Sequence, residues 1–304
     1  MGFFDDAHDA IGRGMGVARE TASRAALERA GFVRGFARMC DDGWVQGWHE
    51  RNGGNASYRL TDEDVSLALP FFREATEAWT DLGVRAPSLA GSFFLVTATG
   101  SFMRNVACDV DATVGIVELD AAGGAYRVRW GLSGGGRPTS EFAGHVLIHA
   151  ARAEATDGAA RVIYHAHPVP IIALTKILPP DARTLTRTLW RAMTECVMVF
   201  PEGVGVVGCE VPGSLELARA SAREMEAYSA VVWAHHGLLC SGVDFDDTFG
   251  RMHAIVKAAE IYETARMMTG GSADFANDMT DDDLRAVARG LGVRVNESFL
   301  GWPR

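Results

Sequence analysis

Apolar positions first recur at helical spacing over residues 20–40, where Ala26, Leu27, Ala30, Phe32, Val33, Phe36 and Ala37 would share one face and Asp41 to Gly43 would end the segment. The pattern then shortens. Runs rich in apolar and β-branched residues at 56–60, 92–98, 114–119 and 126–130, with Gly or Asp clusters between them, predict successive strands. Further on the order becomes helix 141–153, strand 161–165, helices 171–177 and 181–196, strand 197–200, helix 214–228 and strand 230–235. A long amphipathic helix at 245–268 and a short acid-capped helix at 281–290 complete the series. Strands interleaved with helices predict a mixed α/β architecture. Residues 60–87 alternate apolar and acidic positions without a clean period and read as an irregular insertion.

Composition bounds this picture. A chain of 304 residues, 48% hydrophobic, can bury one substantial core, so a single domain over 26–304 is expected. Gly12, Gly14 and Gly16 oppose helix formation in 1–25, which reads as a poorly ordered leader. A formal net charge of -10 argues against a general nucleic-acid or anionic-membrane surface, so an anionic substrate would need a local site. Cysteines at 40, 108, 196, 209 and 240 form no C-x-x-C pair, which suggests neither a disulfide framework nor a thiolate metal site and fits a reducing cytosol. The opening MGFFDDAHDA is acidic where a secretory signal would be basic and apolar, and no window reaches the apolar length of a membrane span; a soluble, cytoplasmic protein is expected.

Histidines then gather at the ends of two predicted strands, in V-I-Y-H-A-H at 162–167 and A-V-V-W-A-H-H-G at 230–237. Side chains two apart on a strand point to one side, so His165 and His167 can aim at a common point beyond the sheet edge. Catalytic zinc sites commonly take three protein ligands and leave a position open, which a third histidine from the second strand would complete. Adjacent residues face opposite ways, so at most one of His235 and His236 joins; His236, next to Gly237, is the choice. The alternative is two polar residues at a strand end. A competing set, Glu141, His145 and His149, is spaced four apart on one helix face as in helical two-histidine zinc sites, but it lacks the H-E-x-x-H order and lies among Val146, Leu147 and Ile148.

Glu141 follows Pro138, Thr139 and Ser140, so a hydroxyl N-cap with a first-turn acid complementing the helix dipole is one reading. The same hydroxyls and free N–H groups could grip a phosphate. The loops R-N-G-G-N at 51–55 and T-A-T-G-S at 97–101 have the glycines and polar side chains for that purpose too, or are simply tight turns. G-x-G-x-x-G at 203–208 sits in a Val-rich, strand-like context with no helix opening at its last glycine, and reads as a hairpin, not a dinucleotide site.

Taken in order, R-N-G-G-N at 51–55, T-A-T-G at 97–100, P-T-S-E at 138–141, H-A-H at 165–167 and H-H-G at 235–237 resemble the class II aldolase/adducin family. W-x-x-G-W-x-E-R-N-G-G-N at 44–55, F-x-R-N at 102–105, W-G-L at 130–132, T-E-C-x-x-V-F-P-x-G-V-G at 194–205 and D-x-T-F-G at 246–250 look like a bacterial sugar-phosphate aldolase branch, and the likeness covers roughly 30–295. The resemblance implies a central mixed, largely antiparallel sheet covered by helices on both faces. It also implies metal-dependent cleavage of a phosphorylated ketose, with one Zn2+ per subunit on His165, His167 and His236 and Glu141 as acid/base. Substrate phosphate would lie among Asn52, Asn55, Thr99, Thr139 and Ser140, and Glu195 would serve a neighbouring subunit of a cyclic homotetramer. Two departures stand out: Ala98 and Thr99 replace the family's usual glycine and serine, and 134–136 is unusually glycine-rich. Other ketose-phosphate enzymes of the scaffold, or an adducin-like interaction module without metal, are the alternatives.

Overall fold

The computed structural model describes residues 26–74, 78–133 and 136–301, so the 1–25 leader and Gly134 and Gly135 lie outside the described residues. Nine strands form one sheet in the order β2-β5-β4-β3-β1-β6-β9-β8-β7. They are β1 (Asn55–Arg59), β2 (Thr80–Asp81), β3 (Phe93–Thr97), β4 (Val114–Leu119), β5 (Ala125–Gly131), β6 (Val162–Ala166), β7 (Gly205–Val207), β8 (Ala230–Trp233) and β9 (Gly237–Gly242). Every pairing is antiparallel except β7 with β8.

Alternation along the strands sorts side chains to two covered faces. Ala56, Tyr58, Val162, Tyr164, Ala166, Leu238 and Cys240 join the larger core beneath helices Gly31–Val45, Ala182–Ala192 and Phe245–Met268. Intervening positions such as Phe94, Val96, Ile163, Val231 and Leu239 pack on the opposite face against helices Phe142–Ala155 and Leu215–Glu224. Fully burying an aliphatic or aromatic side chain of this kind contributes about 1.5–3 kcal/mol, so the alternation alone fixes which face each strand residue serves.

Four sequence expectations change. The first helix passes Asp41 to Gly43 and ends at Val45. Residues 197–200, expected as a strand, belong to a short helix Cys196–Val199: a four-residue apolar run has no period to decide between the two states. The glycine-rich 203–208 segment supplies β7, which pairs parallel with β8 instead of folding into a hairpin. Within 60–87, read as irregular, Thr61 caps a regular helix, Asp62–Ala68, through a reciprocal bond with Asp64.

Candidate active site at the sheet edge

Because β1 runs antiparallel to both β3 and β6, the N-terminal end of β1 meets the C-terminal ends of β3 and β6 at one edge. The turn from β8 to β9 closes on the same edge, since β9 pairs antiparallel with β6. His165 lies on β6 and is fully buried; His167 follows it by two and is held by its backbone N–H donating to Trp48 O at 2.9 Å. The β8–β9 turn bends at His235, a non-glycine residue at φ 66°, which leaves His235 exposed and turns His236 inward. Gly237 is required here: a Cβ would lie 2.3 Å from Ala166 O and 3.1 Å from His165 Cε1.

The three imidazoles meet through Nε2, 3.1 Å apart between His167 and His165 and 3.3 Å between His165 and His236. Their tautomers follow from the other side of two rings. His165 Nδ1 donates to Leu238 O at 3.1 Å and His167 Nδ1 donates to a Glu50 carboxylate oxygen at 2.7 Å. In the neutral rings both Nε2 atoms turn a lone pair toward one common point, where a shared cation would be held. Burial, followed by the two neighbouring rings, pushes His165 well below the ordinary histidine range, and burial pulls His236 down to about 4, so both rings present neutral nitrogen. Nitrogen ligands at 2.0–2.1 Å in a tetrahedron sit about 3.4 Å from one another, close to the observed spacings. The donor set fits a divalent, nitrogen-seeking ion, and these histidines are the one such group among the described residues.

Glu141 occupies the N-cap position of helix Phe142–Ala155, where Thr139 or Ser140 was expected. Its Oε2 accepts from Asn55 Nδ2 at 2.8 Å. Burial raises its carboxyl above the usual range, opposed by the Asn55 hydrogen bond and by the nearby His167. The 97–101 loop lies beside the segment that leads into Glu141: Ala98 bridges Pro138, Thr99 N–H donates to Arg137 O at 2.9 Å, and Thr139 N–H donates to Thr97 O at 2.8 Å. Thr99, Ser140 and Asn52 are exposed at this edge and Thr139 is buried. Asn55 differs from these, because its amide is engaged on both sides, Oδ1 taking a hydrogen bond from His145 Nε2 at 2.5 Å. His145 and His149 do not join the histidine cluster; both rings bond the Ser57 hydroxyl. Glu195 is exposed at the N-cap of helix Cys196–Val199 and accepts from the Thr194 hydroxyl at 2.9 Å.

Two supporting residues were given no role from the sequence, although Glu50 is a fixed letter of W-x-x-G-W-x-E-R-N-G-G-N. Glu50 fixes His167, and His49 braces the loop: Tyr164 donates its hydroxyl to His49 Nε2 at 2.5 Å while Nδ1 donates to Gly53 O at 3.1 Å. Burial lowers His49 to about 4, so this ring is neutral and able to do both. Gly54, at φ 80°, leaves the room this needs, since a Cβ there would lie 2.3 Å from His49 Nδ1.

The sequence profile of the class II aldolase and adducin N-terminal domain matches residues 34–263. The chain belongs to the class II aldolase and adducin family. Within it, the chain is 38% identical over 274 residues to a rhamnulose-1-phosphate aldolase of Enterobacter sp. (strain 638), covering 90% of this chain and 98% of that one. It is 39% identical over the same shares to the Escherichia coli O157:H7 protein of that name. Among solved structures, a sugar-phosphate aldolase from Thermotoga maritima aligns with TM-score 0.64 and 28% identity, over 79% of this chain and 96% of that one. The mixed, largely antiparallel sheet with helices on both faces is thus the family's fold. Enzymes of this class use a metal, and the histidine cluster is where this member can hold one.

Proposed function

We propose that this class II aldolase cleaves L-rhamnulose 1-phosphate to dihydroxyacetone phosphate and L-lactaldehyde, with Zn2+ as its metal. The observation that carries the substrate is the 38–39% identity, over 90% of the chain, to proteins named for that aldolase. His165, His167 and His236 would hold one ion per chain through Nε2. When bound, the ion supplies Lewis-acid polarisation of the ketose carbonyl.

Glu141 supplies the proton chemistry. As the carbon–carbon bond breaks, the hydroxyl on the departing carbon gives up its proton and becomes the aldehyde carbonyl, while the electron pair stays with the triose phosphate half; the neutral carboxyl of Glu141 delivers a proton to the carbon that carried the bond, and the carboxylate so formed takes up the hydroxyl proton. Burial favours that neutral form, and the Asn55 amide, which bonds the ionised form, keeps the group able to release a proton and take one back. Thr99, Thr139, Ser140 and Asn52 would take the phosphate with backbone N–H groups at the start of helix Phe142–Ala155. Asn55 would act through Glu141, because its amide is already engaged. Glu195 would serve the aldehyde end of a neighbouring site in a cyclic homotetramer, a role that fits its exposure. A cytoplasmic setting suits a phosphorylated substrate.

The deciding experiment is a coupled assay of dihydroxyacetone phosphate release from L-rhamnulose 1-phosphate and from L-fuculose 1-phosphate, before chelation, after it, and after Zn2+ is returned. Cleavage of the rhamnulose ester that disappears on chelation and returns with Zn2+ is expected. Preference for the fuculose ester, or full activity after chelation, overturns the reading. Mass photometry reporting a monomer would remove the neighbour-supplied Glu195.

A further inference from the structure

Behind Glu141 a row of polar side chains runs into the interior between β1 and helix Phe142–Ala155. His149 Nε2 and His145 Nδ1 lie 2.8 and 2.7 Å from the Ser57 hydroxyl, His145 Nε2 lies 2.5 Å from Asn55 Oδ1, and Asn55 Nδ2 lies 2.8 Å from Glu141 Oε2. Ser57, His145 and His149 are each at most 1% exposed and touch none of the three clustered histidines through these bonds.

With the Asn55 amide N–H given to Glu141, the proton positions along this row follow in turn. Asn55 presents its oxygen to His145, so His145 Nε2 donates. A neutral imidazole has one donor, so His145 Nδ1 accepts, and the proton it accepts is that of the Ser57 hydroxyl. Ser57 then has only lone pairs left for His149, whose Nε2 must donate. Burial holds His145 down at about 3 and His149 well below its ordinary range, which keeps both rings neutral as this order requires. Every bond therefore points toward the carboxylate. The spacing that permits it is a match of two periods: alternate strand positions such as Asn55 and Ser57 are about 6.6 Å apart, and residues four apart on a helix rise about 6 Å. The pairing advances in step, Asn55 with Glu141 and His145, Ser57 with His145 and His149.

Five polar side chains are a costly filling for a space otherwise packed by Phe94, Phe142, Val146, Ile148 and Ile163. Neither a cap at Glu141 nor packing would need Ser57, His145 and His149. We propose that Ser57, His145 and His149 are positioning residues that fix the Asn55 amide, and through it hold the Glu141 carboxyl at one orientation toward the substrate. Resting on the reading of Glu141 as acid/base, the inference adds that this base is aimed from behind by a one-way hydrogen-bond chain.

The test is Ser57→Ala against Ser57→Thr in the metal-loaded enzyme, read by kcat and KM for L-rhamnulose 1-phosphate and by metal content. Removing the hydroxyl should lower kcat on the order of 10- to 100-fold, with KM within about two-fold and metal content unchanged; threonine, which keeps the hydroxyl, should restore most of the loss. Wild-type kcat in Ser57→Ala overturns the proposal, as does a loss that threonine does not repair. Should Ser57→Ala fail to fold, nitrogen-15 spectra of histidine-labelled wild-type enzyme decide: His145 and His149 must both be neutral with the proton on Nε2, and a proton on His145 Nδ1 defeats the chain. Glu141→Gln separates the two layers. Full activity in that variant removes the premise, whereas an inactive Glu141→Gln beside a fully active Ser57→Ala removes only the positioning chain.

Discussion

At the residue scale, the histidine cluster depends on what stands behind each ring. His167→Ala removes a nitrogen that no neighbour can replace, so the purified protein should lose its bound metal; unchanged zinc by elemental analysis would contradict the assignment. Glu50→Ala leaves the ring but releases its orientation, and the loss of such a supporting carboxylate typically lowers metal affinity 10- to 100-fold. A chelator competition titration reads that change, and wild-type affinity would show that His167 needs no brace. His165, His167 and His236 were legible because strand spacing and a strand-end glycine are local patterns. The roles of Glu50, His49 and Ser57 were not, because one polar residue in a loop or strand has no period, and Glu50 entered only as a letter of a motif. For Ser57 a joint signal existed: His145 and His149 four apart on a helix needed a partner, and alternate strand positions Asn55 and Ser57 could match them.

At the scale of elements, the site is assembled where a helix, a strand and a loop pass too closely for side chains. Gly43, within helix Gly31–Val45, shows this: a Cβ there would lie 1.7 Å from the Tyr164 hydroxyl and 2.8 Å from His49 Nε2. Gly43→Ala should displace the pair that braces the Gly53 and Gly54 loop and lower stability by about 1–3 kcal/mol. A fall in the urea midpoint together with reduced kcat is expected, and an unchanged midpoint would mean the helix shifts freely. Helix positions were legible from their period, and so were the longer strands. β9 was not, because Gly237 and Gly242 bound a run with little β-branching, and its strand character comes from β6 and β8 on either side. The short helix at Cys196–Val199 was misread for the complementary reason, its backbone bonds to Glu195 and Cys196 being invisible in four apolar letters.

For the whole molecule, the C-terminal helix Asp281–Leu291 is fastened by Asp281, which bonds Arg187 at 2.8 Å, Arg191 at 3.0 Å and the Gly301 N–H at 2.7 Å. Burial alone would raise this carboxyl, but the hydrogen bonds from Arg187, Gly301 and Arg191 hold it down at about 2. An unfolded aspartate titrates near 3.9, so the difference is worth about 2–3 kcal/mol. A depressed folded value contributes that stability above pH ~4 and loses it as pH falls toward ~2. Asp281→Asn should therefore lower the melting temperature at pH 7 and narrow its difference from wild type as the medium is acidified through that window. An equal difference at pH 7 and pH 3 would show that the carboxylate's charge is not what fastens the helix. The antiparallel sheet has one further consequence. The histidine cluster and Glu141 gather at one edge, while the Asp120 to Gly124 turn and the joints after β1 and β9 lie at the other. The protein thus has one end that carries the proposed site and one that does not, and a peptide tag spliced into the Asp120 to Gly124 turn would lengthen the chain at the far end from the histidine cluster.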